Sequence, residues 1–347
     1  MRINGLILLG LLSSAAVWAD AASDAAVAQA DIASQVRQAV PTLKNARQAW
    51  LVLRFLELGA TPSPPEVIAQ LRQRVATERP FDAVLQRQML ESDEPMDGRG
   101  RPRRELAAEQ PPTASLQRSA AVLAELELAD PGNAQNGIVA LRLLPNDLAD
   151  PIYTERLHAI AQSGRYQGDF VAWLQAADEL SQALKLVPTP APAGDTENDP
   201  PTEPSIVMAF GLAHALDVNG GRQRLIAACK VELYPERAAD CQSIARKLLA
   251  GDDTLIGQLL ASALLRTSAS DAALVAEAAA ATRRTRWWTE MCWAIAADAG
   301  NQASAHNEAQ FLQAMIAHGE IPAIREWLLA HQVALDPPGD WQPMQTL

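Results

Sequence analysis

Lysine is nearly missing from this chain: of 29 basic residues only Lys44, Lys185, Lys230 and Lys247 carry an ammonium group, and the rest are arginine. Cysteine is limited to three residues and histidine to five, and aromatic residues make up 5%. Each shortage closes a class of function. Three cysteines exclude a disulfide-mesh scaffold. The histidines, His158, His214, His306, His318 and His331, stand singly. With no HExxH, HxH or CxxC set and no pair at i, i+4, no local metal site is written into the chain. GxSxG, GxxxxGK[ST] and a GxGxxG after a strand are absent, which leaves no nucleophile elbow or phosphate cradle. No cofactor is expected. The deficit of positive charge, 29 Lys+Arg against 41 Asp+Glu for a net −12, argues against nucleic acid, because phosphate neutralisation supplies much of that affinity.

What is present is an aliphatic, globular composition, 48% hydrophobic over 347 residues. A chain of this length buries roughly three quarters of its unfolded surface, so one large domain or two smaller ones are both open. The first residues have one positive charge at Arg2, a short apolar stretch from Ile3 to Leu12, and small residues at Val17 and Ala19. That is the layout of a secretory signal peptide, residues 1–19, with cleavage expected after Ala19. The stretch falls short of the about 20 apolar residues a bilayer span requires, so no membrane span is expected after cleavage. No cysteine follows it to carry a lipid. The alanine and arginine bias resembles that of a GC-rich bacterial genome, and together with the leader it places the protein in the periplasm of a Gram-negative cell or outside it.

Past the leader, apolar residues recur at helical spacing and strands find no foothold. Ile32, Val36, Val40, Leu43, Leu51, Phe55 and Leu58 share one face, with Pro41 breaking or restarting the helix. Thr61 to Pro65 starts another helix, in which proline is harmless at the first turn. Residues 91–112 form a charged loop, acid then base, ending in Arg99, Arg101, Arg103 and Arg104. Those four arginines are candidates for an anionic contact or a partner's acidic face, against the plainer reading of a solvated loop. Six prolines and several acids between residues 188 and 204 read as an extended linker. The lobes on either side are 20–187 and 205–347, and a loop inserted into one continuous helical array is the alternative. In the second lobe helices are expected at Ile206–Leu216, Arg224–Cys229, Ala238–Leu249, Thr254–Leu265, Asp271–Thr282, Trp287–Ala299, Ala303–Ala317 and Pro322–Ala330. Asp253 and Ser270-Asp271 are the expected N-caps of two of them.

A helix over Ser115–Leu128 ends at Ala129-Asp130-Pro131-Gly132-Asn133-Ala134, and Gln162-Ser163-Gly164-Arg165-Tyr166 follows one helical segment later. This stretch, about Ser119 to Phe170, resembles the joints of tetratricopeptide repeats. It departs from their pattern where Pro145 and Pro151 interrupt the helix pair. The resemblance implies an all-α fold of antiparallel helical hairpins, stacked as an irregular array, with a concave surface that holds other proteins.

Cys229 and Cys241, twelve residues apart across the Tyr234-Pro235 turn, are the expected disulfide in an oxidising compartment. Cys292 is expected to pack as a small apolar residue, with a reactive thiol beside Arg283, Arg284 and Arg286 as the rival. Trp287, Trp288 and Trp327 are the candidate binding surface, one of them lining a groove for a partner or a sugar, against core packing for most of them as the plainer reading. Neighbouring helical residues point about 100° apart, so Trp287 and Trp288 are not expected to be equally buried. Asp252-Asp253 reads as a turn and cap rather than a catalytic couple. The functional expectation is an exported helical binding or scaffolding protein of the bacterial envelope, not an enzyme, whose partner is another protein, with a glycan as the other ligand. The rivals are an inhibitor or immunity-type protein that neutralises a toxic effector, and a hydrolase whose site is dispersed in sequence.

Overall fold

A computed structural model describes residues 34–58, 63–77, 82–92, 112–184, 220–252, 254–298 and 301–343. The leader, the 188–204 linker, the 206–216 helix, Asp253 and the arginines Arg99, Arg101, Arg103 and Arg104 lie outside them. Among the described residues the fold is all-α, with no strand. The helices are α1 (Ala46–Leu58), α2 (Pro65–Thr77), α3 (Ala83–Ser92), α4 (Pro112–Ala129), α5 (Ala134–Ala140), α6 (Pro151–Gln162), α7 (Phe170–Leu184), α8 (Gly220–Ala228), α9 (Ala238–Gly251), α10 (Leu255–Thr267), α11 (Ala272–Asp298), α12 (Asn301–His318) and α13 (Glu320–Ala330). No helix among the described residues is long and apolar enough to cross a membrane.

The boundaries follow from side chains that satisfy first-turn N–H groups. Asn45 accepts from Gln48 N at 2.9 Å before α1, and Asn133 and Asp150 accept two residues on at the starts of α5 and α6. Asp271 caps α11 through Leu274 N at 2.9 Å, as expected. At α10 the cap is Thr254, whose Oγ1 accepts from Gly257 N at 2.9 Å, one residue after the expected Asp253. Pro41 sits in the 3-10 turn Val40–Thr42, where it separates the helical residues 34–39 from α1.

Two expectations need correction. The helices expected at 271–282 and 287–299 are one continuous helix, α11. No proline or glycine interrupts 283–286, and Thr282, Thr285 and Thr289 turn their hydroxyls back onto carbonyls four residues earlier, at 2.9, 3.0 and 2.9 Å. The helix expected at Arg224–Cys229 begins four residues earlier, so that Gly220-Gly221 open α8. A Cβ on Gly221 would overlap the Ile138 carbonyl, so glycine lets α8 approach α5 closely.

By contacts the chain forms two compact units, one of residues 1–79 with 173–216 and the other of residues 80–172 with 217–347. In the first, α1 packs on α2 through a core that includes Val52, Leu53, Leu56, Leu71 and Val75, and Arg74 donates to the Leu43 carbonyl. The second unit holds one large core, in which Ile138, Leu141, Tyr153, Leu157 and Ile160 meet Leu225, Cys241, Ile244, Leu248, Leu264 and Leu265. Each such aliphatic side chain contributes about 1.5–3 kcal/mol by leaving water. This core joins residues from both sides of the 188–204 segment, so the partition differs from lobes at 20–187 and 205–347. Every residue of α5 is buried, and α4, α6 and α8 pack around it; α6 then meets α9, α9 meets α10, α10 meets α11, and α11 and α12 meet α13.

Candidate functional site

The two joints that drew the repeat comparison lie side by side. Ala134 N donates to Arg165 O at 2.9 Å, and Arg165 N to Gly132 O at 3.2 Å. Arg87 of α3 is driven into them, its side chain 4% exposed. Its guanidinium grips Asp169 through two bonds of 2.8 and 2.6 Å, and reaches Asp130 at 2.8 Å and Asn136 at 2.7 Å. Asn133 and Arg165 also donate to Asp130. Burial works against the Arg87 charge, but the Asp169 and Asp130 carboxylates outweigh it and raise its pKa. Burial likewise opposes the Asp130 charge, yet its donors hold its pKa below the ordinary carboxylate value. Every charge here is matched within the cluster, so it locks the joint.

A second buried cluster forms the base of a surface groove. Asp252, its side chain fully buried, accepts from the Thr254 N–H at 3.0 Å and hydroxyl at 2.7 Å on Oδ1, and from Tyr166 Oη at 2.8 Å and Arg222 at 3.1 Å on Oδ2. Burial pushes the Tyr166 phenol well above its ordinary value, so it stays a donor. Gly257 lies so close that a Cβ there would overlap the Asp252 carboxylate. Above this base a cavity of about 550 Å³ opens between α9, α10, α11 and α13. Ala280, Ala281, Trp288, Ile321 and Pro322 supply apolar wall, and Glu277, Arg284 and Arg325 supply charge. Glu277 is held by Arg246 at 2.8 Å and Arg284 by Asp336 at 2.9 Å, both exposed pairs.

The tryptophans behave differently from the helical-wheel expectation. Trp287 and Trp288 are equally buried, at 8% each. Both rings pack in one cluster with Ile321, Ile324 and Leu328 of α13, and the segment after α13 lies against that cluster through Val333, Leu335 and Trp341. Trp287 Nε1 donates to Ala334 O at 2.7 Å and Trp288 Nε1 to Leu335 O at 2.8 Å. Arg283 donates to the carbonyls of Pro338, Gly339 (3.1 Å) and Trp341 (2.8 Å), and the Trp341 ring meets Trp287 edge-on at 5.3 Å. Trp327 is half-buried against Phe311 and His331. The three rings therefore do not form one open surface, though Trp288 does line the groove.

Cys229 and Cys241 are bonded, with Cα atoms 5.7 Å apart, joining the end of α8 to α9. This pairing is compatible with an oxidising compartment. Cys292 is half-buried against the tryptophan cluster, and burial, helped by the Glu320 charge, pushes its thiol up to about 12. No group of three metal-ligating side chains occurs among the described residues. Arg87, Tyr166 and Arg222 were not singled out from sequence as site residues, since their partners lie 30 to 86 positions away. The only local signals were Tyr166 in the second joint and Asp252 in the turn before α10. No protein-family profile, curated protein or solved structure matches the chain.

Proposed function

We propose that the protein is an exported, helical binding module of the bacterial envelope, and that the groove between α9, α10, α11 and α13 holds another protein. The observation that carries this reading is the groove itself. Its size, about 550 Å³, falls in the range of ligand sites, and an aromatic and aliphatic wall beside a few charged groups is the composition of a recognition surface. The carboxylate at its base supports binding over hydrolysis, because both oxygens of Asp252 are engaged by Thr254, Tyr166 and Arg222. Export rests on the Arg2, apolar and Val17-Trp18-Ala19 layout, and the Cys229–Cys241 bond is compatible with it. The local tetratricopeptide resemblance agrees with a protein partner.

The test is capture of envelope proteins by residues 20–347 in parallel with an Ala280→Trp variant, which fills the groove from an exposed position. The expected result is a stoichiometric protein retained by the first and lost by the second. Equal retention by both overturns the groove assignment, and retention of a glycan in place of protein overturns the partner class.

A further inference from the structure

Resting on that reading of the groove, the polar groups that its walls leave unpaired identify the part of the partner it takes. We propose that the groove receives the C-terminal residue of its protein partner, with the terminal carboxylate on Arg325, the last amide N–H on Gln258 and an apolar side chain against Trp288 and Ile321.

The charges that line the groove are matched one by one until a single cation is left. Asp252 is paired with Arg222, Glu277 with Arg246 and Arg284 with Asp336. Arg325 of α13 is exposed and pairs with no carboxylate among the described residues. In a chain of net charge −12, that cation marks the point of the groove where a ligand's negative charge is favoured.

A second group is unpaired and buried. Gln258 of α10 is 8% exposed and lines the same cavity. Its Nε2 donates to Leu249 O at 3.1 Å and to Asp252 O at 2.8 Å, which uses both N–H groups of the amide. Carbonyls cannot donate in return, so the amide cannot be reversed, and its Oε1 accepts from no donor among the described residues. Such an acceptor gains from a ligand N–H. The rest of the wall is apolar. Trp288 has already given its N–H to Leu335 O and offers the groove only its ring, beside Ala281 and Ile321.

An anion, an N–H donor and an apolar side chain are the three groups that the last residue of a polypeptide carries together. An internal glutamate or aspartate has its carboxylate where the apolar side chain belongs, and its chain must leave the groove at both ends. The terminus enters without displacing residues 333–341, because Arg284 and the Trp288 N–H keep their partners.

The experiment follows the anisotropy of N-terminally labelled tetrapeptides, Ser-Gly-Ala-Leu and its counterparts ending in valine and phenylalanine, titrated with residues 20–347. At least one free-acid peptide is expected to bind, about tenfold tighter than the same peptide with a C-terminal amide and about fivefold tighter than the one N-methylated at its last residue. Arg325→Gln, a change at an exposed position, is expected to bind acid and amide alike, with an unchanged circular dichroism melt. No binding by any free acid, equal binding of the amide or of the N-methylated peptide, or a preference for the acid that survives Arg325→Gln overturns the proposal. So does equal binding of amidated Ser-Gly-Glu-Leu, which assigns the site to a side-chain carboxylate. Free-acid binding lost in Arg325→Gln, beside a partner that Ala280→Trp still captures, sinks the reading of the groove as the partner's site alone, whereas failed peptides beside a partner lost in Ala280→Trp sink only this inference.

Discussion

Gln332 is the one non-glycine residue with positive φ among the described residues, at 60°. It stands where α13 ends in a Schellman turn: Val333 N donates to Leu328 O at 2.9 Å and Gln332 N to Leu329 O at 3.0 Å. Glycine is the usual occupant of that position because a Cβ costs about 1 kcal/mol there. Gln332→Gly should therefore stabilise the protein by about 0.5–1 kcal/mol and raise Tm by about 1–3 °C in a thermal melt. Cys292 gives a second residue-level prediction. Its thiol is held neutral by burial, with a pKa of about 12 against about 8.5 when unfolded. The raised value means that its contribution to stability is complete below about pH 8.5 and is lost as pH rises toward 12. The folded protein should resist iodoacetamide at pH 8 by intact mass, and Cys292→Ala should flatten the fall in stability on the alkaline side. Fast alkylation would show that the arginines upstream, not burial, govern this thiol.

At the scale of elements, the fold depends on two kinds of cross-link that the helices cannot provide for themselves. One is the Arg87 cluster, which ties α3 to the joints before α5 and α7. Arg87→Leu removes the buried cation that Asp169 and Asp130 share, and losing one partner of a buried pair costs about 3–5 kcal/mol, measurable by urea denaturation. A second substitution, Asp169→Leu, should recover part of the loss, since it removes the carboxylate that Arg87 held at two bonds. The other cross-link is Cys229–Cys241, which closes a loop of twelve residues and contributes about 2–3 kcal/mol. Reduction should lower Tm, and an unchanged melt in dithiothreitol would contradict that. The starts that were legible in sequence are those set locally, such as Asp271 and the proline at 65, which do their work within one turn; Pro151, read as an interruption, instead opens α6. The run from Thr282 to Trp287 reads as a break because it lacks apolar periodicity, but its threonines bond back into the helix instead of ending it.

At the scale of the whole molecule, the packing order disagrees with chain order. The core of the larger unit draws Leu157 and Ile160 from before the proline-rich segment and Leu225, Ile244 and Leu264 from after it. A fragment of residues 205–347 should therefore lack a cooperative thermal transition, because the faces of α8 and α9 that cover α5 and α6 would be left in water. Independent folding of that fragment, seen as a sharp melt by circular dichroism, would restore the expected boundary.

The sequence by itself determined the helical class, the Cys229–Cys241 pairing and the Asp271 cap, because periodicity, loop closure and first-turn bonding act over a few residues. The tertiary structure alone decided the groove, the buried partners of Arg87 and Asp252, and the equal burial of Trp287 and Trp288. Those depend on segments that are remote in sequence and close in space. A helical wheel shows which sides of α11 are apolar, but only the folded chain shows that residues 333–341 lie across one of them.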